Sequence, residues 1–203
     1  MNKAAFLDRD GVLNRKASKG GYITRWEEME FLPGVVEAIT LLKQAGFHVI
    51  VITNQRCAAK GLITIPALES LHQRMREELG KAGAVIDAVY YCPHEYEPKC
   101  DCRKPAPGML LQASRDHAID LAASWMIGDS DIDVEAGRNA GCKTARLLEP
   151  GAREKDGAGA DLVAVSLLDA VRQVLRQECD EAHADRARPE EARSEVLSED
   201  PFE

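Results

Sequence analysis

"FLDRDGVLN", Phe6–Asn14, is the stretch on which the fold turns: a short apolar run stops at two aspartates one residue apart, and a glycine follows. Side chains two apart on an extended strand point the same way, so Asp8 and Asp10 can face one small space while Arg9 points elsewhere. Gly11 then lets the chain turn sharply. Asp and Gly are also common turn residues, so the stretch alone fits an ordinary strand exit equally well. Its surroundings decide between the two.

Beyond it, apolar runs alternate with helical periodicities, without an internal repeat. "KAAFL" (3–7), "FHVIVIT" (47–53), "VIDAVYYC" (85–92), "SWMIGD" (124–129), "TARLL" (144–148) and "LVAV" (162–165) read as buried strands, each short and bounded by polar residues or glycine. "PGVVEAITLLKQAG" has Pro33 near its start and Gly46 just past its end, and Leu68, Leu71, Met75 and Leu79 mark an amphipathic helix. Further helical runs follow Pro107, Asp131 and Ser166. Alternation of this kind requires right-handed crossovers. It predicts an α/β, Rossmann-like fold with a mainly parallel sheet, helices on both faces, and function at the carboxyl ends of the strands.

Composition sets the limits. The chain has 203 residues, of which 45% are hydrophobic, enough for one well-cored domain of ordinary size or a domain plus an appendage. No run of 18 or more apolar residues occurs, and "MNKAAFLDRDG" lacks a long hydrophobic segment, so a soluble, cytoplasmic protein without a membrane partner is expected. The net charge of −8 is unevenly spread: residues 177–203 hold ten acidic and three basic residues, leaving 24 acidic and 23 basic residues over 1–176. The expected organisation is therefore a domain over 1–176 and an acidic, disordered tail over 177–203. A near-neutral domain offers no basic track for nucleic acid. Six cysteines in a reducing compartment point to thiols or metal ligands.

The strand rule brings three polar clusters to one sheet edge: Asp8 and Asp10, "TNQ" (53–55), and "GDSDID" (128–133). Capping explains any one of them alone, including Asp129 and Asp133 at a helix start. Converging carboxylates repel unless a cation neutralises them, which points to bound Mg²⁺. A fourth cluster is "CRKP", Cys102–Pro105, with Arg103 and Lys104. Immediately before it, sharing Cys102, runs "CPHEYEPKCDC", where Cys92, His94, Cys100 and Cys102 supply four soft or borderline ligands, the set for a closed, structural Zn²⁺ site. Such a zinc-bound loop would fix Arg103 and Lys104 against the acidic edge. Buried free thiols are the alternative reading.

"DRDGVLN", "ITNQ", the lysine of "CRKP" and "GDSDID" together resemble the four motifs of the haloacid dehalogenase superfamily of phosphohydrolases. With the zinc loop and "NRKASKGGYITRWEEMEFLPGV", the chain is more specifically similar to the group containing heptose 1,7-bisphosphate phosphatases and histidinol phosphatases, over about residues 3–150. The resemblance implies Asp8 as nucleophile and Asp10 as general acid and base. It implies Mg²⁺ on Asp8, the Asp10 carbonyl and Asp129, with Asp133 acting through a water. Thr53, Asn54 and Lys104 would surround the phosphoryl oxygens. Many relatives insert a cap domain after the first motif or between the second and third; here the 45 residues from Asp8 to Thr53 and the 51 from Thr53 to Lys104 leave no room for one. An open site, no cap domain, a small sugar phosphate as substrate and a monomer are therefore expected.

Heptose 1,7-bisphosphate, cleaved at the 7-phosphate, is favoured over histidinol phosphate. Arg103, Arg56 and Lys60 can meet a second phosphate, and the long flap "NRKASKGGYITRW" (14–26) resembles the heptose branch. Glu27, Glu28 and Glu95 keep the amine-bearing alternative open, and "QRCAAKG" (55–61) departs from the smaller, glycine-containing loop expected of heptose enzymes. A noncatalytic zinc-containing interaction module would be favoured by a missing catalytic carboxylate, and none is missing.

Overall fold

Strand β1 (Ala4–Leu7) is fully buried, with Ala5 and Leu7 in one apolar cluster and Ala4 and Phe6 in the other. β2 (His48–Asn54) repeats the division, Val49 and Val51 on one side and Ile50 and Ile52 on the other. Strands buried on both faces must be covered by helices on both faces. The computed structural model describes residues 1–18, 20–149 and 159–187. It adds β3 (Ala88–Cys92), β4 (Trp125–Gly128), β5 (Lys143–Leu147) and β6 (Leu162–Ala164), in the spatial order β3-β2-β1-β4-β5-β6 with every pairing parallel.

Each of the six runs read as strands forms one. The largest difference is at β3, which starts three residues later than expected because the Asp87 carboxylate takes the Val49 N–H (2.7 Å) and ion-pairs with Lys43.

The helices are α1 (Val35–Gln44), α2 (Ile65–Lys81), α3 (Gly108–His117), α4 (Asp131–Ala140) and α5 (Leu167–Ala187). α1, α2 and α5 bury residues in the cluster on one face of the sheet, α3 and α4 in the cluster on the other. α2 starts where Thr64 Oγ1 accepts from Ala67 N and Pro66 occupies its first turn, and it buries Leu68, Leu71, Met75 and Leu79 as their spacing predicts. His72 is buried with them. Among the described residues no inserted cap domain separates the strands, and no helix is long and apolar enough to cross a membrane.

The boundary expected at Arg176 falls inside α5, which runs on to Ala187. The segment from Gln177 to Ala187 holds no proline and mostly fair helix formers, so the helix continues past the expected boundary. Lys3–Glu178 and Lys143–Glu181 ion pairs (2.9 and 2.7 Å) tie it to the domain. Residues 188–203 of the expected tail lie outside the described residues.

From β1 the chain builds outward through β2 to β3, then returns to place β4 on the other side of β1. That reversal opens a crevice at the carboxyl ends of β1, β2 and β4, where an open α/β sheet binds its ligand.

Candidate active site

At the end of β1, Asp8 is held by its own N–H to the Ile127 carbonyl of β4 (3.0 Å). Its Oδ1 stands 2.8 Å from Lys104 Nζ, which also lies 2.6 Å from Asp133 Oδ1 and donates to the Ile52 carbonyl (2.7 Å). Lys104 is buried, so three elements distant in sequence meet on one ammonium. Burial opposes the charge on Lys104, but Asp8 and Asp133 hold its pKa above the ordinary lysine range. Burial pushes the Asp8 carboxyl up to about 7, with Lys104 opposing the rise and Asp133 adding to it.

Asp8, Asp129 and Asp133 bring carboxylate oxygens within 4.8 Å of one another. Hard oxygen donors so close suit a small divalent cation. Asp133 is also the end of a capping box: Ser130 donates to its Oδ2 through both N–H (3.0 Å) and hydroxyl. Two glycines admit this crowding. Gly11, at φ +92°, lies where a Cβ would overlap the Asp129 carboxylate, and a Cβ on Gly128 would meet Asp133. Asp129 pairs with Lys16 of the flap, Nζ to Oδ2 2.6 Å. The sequence offered no signal for Lys16, since an isolated lysine reads as a solvated charge.

Asp10 departs from the expectation of two carboxylates side by side and Arg9 turned away. Its carboxylate faces Arg9, whose Nη2 donates to both oxygens (3.0 and 2.9 Å) and whose Nε adds a third bond (3.2 Å). Asn14 Nδ2 (2.9 Å) and Gln55 Nε2 (3.0 Å) complete the set. β1 ends at Leu7, so strand alternation no longer governs residues 8–10 and the Arg9 guanidinium folds back to its neighbour. Burial works against the Asp10 charge, yet Arg9, Asn14 and Gln55 hold its pKa below the usual carboxylate range.

At the end of β2, Thr53 Oγ1 accepts from Gln55 Nε2 (2.8 Å). Asn54 and the Lys104 backbone exchange two bonds of 3.1 Å, locking the β2 exit to the loop that carries the lysine. That loop bears the Cys92, His94, Cys100 and Cys102 cluster, its ligand atoms within 4.8 Å of one another. Sulfurs bound to a tetrahedral zinc stand about 3.8 Å apart and a bound nitrogen about 3.6 Å from each. Of the six separations among these atoms, four run from 3.2 to 3.6 Å and the others stay within 4.8 Å, so the donor set and its spacing fit zinc.

Arg103 does not reach the acidic edge beside Lys104. It donates to the His94 carbonyl (3.3 Å) and lies 4.4 Å from the Tyr96 ring centroid, while Arg56 covers the same ring at 4.3 Å. Arg56 also binds Glu95 and the Tyr22 hydroxyl, both at 3.0 Å, so the unusual "QRCAAKG" loop is what joins flap and zinc loop. Lys60 lies 5.3 Å from the Tyr22 ring.

An aspartate at the central switch-point strand, a buried lysine upon it and a carboxylate cluster from β4 and α4 define a haloacid dehalogenase-like phosphohydrolase, and the HAD-hydrolase-like family model matches residues 101–170. The chain is 41% identical over 181 residues to the D-glycero-β-D-manno-heptose-1,7-bisphosphate 7-phosphatase of Haemophilus ducreyi, covering 85% of this chain and 98% of that protein. The Escherichia coli K12 protein of the same name is 40% identical over 185 residues, covering 86% and 95%. The solved structure of the D,D-heptose 1,7-bisphosphate phosphatase of B. bronchiseptica, complexed with magnesium and phosphate, superposes with a TM-score of 0.76 at 33% identity over 86% of this chain and 99% of that one. The chain belongs to the D-glycero-β-D-manno-heptose-1,7-bisphosphate 7-phosphatase family.

Proposed function

We propose that this protein removes the 7-phosphate of D-glycero-D-manno-heptose 1,7-bisphosphate through an aspartyl phosphate on Asp8, in a Mg²⁺-dependent reaction. The observation that carries the reading is identity of about 40% along nearly the whole length of relatives bearing that name, on a chain that keeps Asp8, Asp10, Lys104 and Asp129 in one crevice.

An Asp8 carboxylate oxygen attacks phosphorus, and the bond from phosphorus to the sugar oxygen breaks. Arg9, Asn14 and Gln55 favour the ionised form of Asp10, so it takes up a proton as the dianionic phosphate enters beside it. It gives that proton to the leaving oxygen, then takes one from the water that opens the acyl phosphate, returning Asp8 and releasing inorganic phosphate. Thr53 Oγ1, the Asn54 N–H and Lys104 Nζ surround the phosphoryl oxygens, where fixed positive charge lowers the barrier most. Mg²⁺ would be held by Asp8, the Asp10 carbonyl and Asp129, with Asp133 in support. When bound, it supplies charge neutralisation between the nucleophile and the phosphoryl group. Arg103 and Arg56, both against the Tyr96 ring, with Lys60 nearby, would give the open end of the crevice the positive edge a second phosphate needs. Phosphorus NMR of the product tests the regiochemistry. Sugar 1-phosphate with free phosphate is expected; sugar 7-phosphate would contradict the reading.

Cys92, His94, Cys100 and Cys102 hold a structural Zn²⁺ in this reading, with no step assigned to it. Elemental analysis of protein prepared without chelators should find about one zinc per chain. Cys100→Ser should lose it, with a fall in Tm of about 5 °C or more as the loop bearing Lys104 loosens. An active, zinc-free wild-type enzyme would remove this part of the account.

A further inference from the structure

His72 lies on α2, away from every motif, and is 4% exposed. Its Nε2 is 3.0 Å from Nη1 of Arg9, a guanidinium that is itself fully buried. Arginine can only donate, so Nε2 accepts, and the imidazole is the neutral tautomer with its proton on Nδ1. Burial, and then Arg9, lowers the pKa of His72 to about 3, so the ring stays in that form. Nδ1 has no hydrogen-bond partner among the described residues. A buried N–H left unpaired costs about 1–3 kcal/mol. The ring is seated against Tyr91, centroids 5.4 Å apart, which fixes its direction. A hydrophobic residue at this point of α2 would continue the helix's apolar face without an orphaned proton. What histidine adds is one acceptor aimed at Arg9.

Arg9 spends its other donors on Asp10: Nε and Nη2 make three bonds to that carboxylate, between 2.9 and 3.2 Å. We infer that His72 is a positioning residue for the phosphatase reaction: it fixes the Arg9 guanidinium, which in turn sets where the Asp10 carboxyl stands for proton transfer. The inference rests on Asp10 being the proton donor of the proposed reaction. Asn14 and Gln55 bind Asp10 from other directions, so loss of His72 leaves Asp10 held but less sharply placed. Misplacement of about 1 Å in a reacting group can cost about a hundredfold in rate.

The readout is the leaving group. An alkoxide leaving from a sugar phosphate needs the proton from Asp10, whereas the stable phenolate of p-nitrophenyl phosphate leaves without it. The comparison is made on kcat/KM, which reports formation of the aspartyl phosphate and not the later water step that both esters share. His72→Leu should lower kcat/KM on the sugar phosphate by about tenfold to a hundredfold, through kcat with KM little changed, and lower kcat/KM on p-nitrophenyl phosphate by less than about threefold. His72→Gln, whose amide oxygen can reach the position of Nε2, should recover most of the loss. His72→Asn, polar but too short to reach Arg9, should behave like leucine and replaces it if the leucine variant does not fold. Equal losses on both esters, or no loss on either, would overturn the inference. Asp10→Asn, measured beside them, separates the two claims: if it too slows both esters equally, the proton-donor role of Asp10 fails before that of His72 is reached.

Discussion

Replacing Asp8 with asparagine is expected to lower kcat for phosphate release by about 10⁴-fold or more, because an amide cannot attack phosphorus and no neighbouring group stands in the same place. The substitution nearly preserves volume. It is not expected to unfold the protein, since burial already pushes the Asp8 carboxyl up to about 7, which means the folded state disfavours its charge at neutral pH. Lys104 keeps Asp133 at 2.6 Å as its partner. The Tm of Asp8→Asn should therefore match or exceed that of the wild type while turnover vanishes. Phosphate release at the wild-type rate by a folded Asp8→Asn enzyme would end the covalent mechanism.

Lys104→Met should act in the opposite sense on stability. Its ammonium is the cation between Asp8 and Asp133 in a buried setting, and methionine fills the same space without charge. Removing one partner from a buried charged group costs about 3–5 kcal/mol because the remaining charges are left uncompensated. Because the folded-state pKa of Lys104 is raised, its contribution is fully present below the ordinary lysine pKa and is lost only as pH rises through the higher, folded-state value. At neutral pH the whole effect should show in denaturant unfolding. Two results should accompany it. Adding Asp133→Asn to Lys104→Met should recover part of the loss, and Mg²⁺ should stabilise the single variant by binding the same carboxylates. An unchanged unfolding free energy would show that the lysine is not the counter-charge the geometry makes it.

The fold was legible because buried strands carry uninterrupted apolar runs, as in "FHVIVIT", and because helix punctuation such as Pro33 and Gly46 is local chemistry. The gathering of Asp8, Thr53, Lys104 and Asp129 at one edge followed from topology, since parallel strands put all their carboxyl ends on one side. What sequence could not reach were side chains whose partners are fixed only in three dimensions. Arg9 looked directed away from Asp10 by strand alternation, yet the strand stops at Leu7 and the guanidinium turns back. His72 reads as one more buried position of α2, and nothing in its spacing reveals the Arg9 contact. Arg103 was expected at the acidic edge beside Lys104, but Tyr96 and the His94 carbonyl draw it outward. The helix past Arg176 was missed because apolar content governed the reading of the tail, whereas Glu178 and Glu181 attach it by charge.

The most direct measurement of the central claim is kcat/KM for D-glycero-D-manno-heptose 1,7-bisphosphate, as both anomers, against histidinol phosphate and a simple hexose bisphosphate. The account predicts that a heptose bisphosphate anomer is preferred by at least about tenfold, a difference of about 1.4 kcal/mol in transition-state binding, drawn from cationic contacts to the second phosphate. A tenfold preference for histidinol phosphate, which carries an amine and no second phosphate, would contradict it.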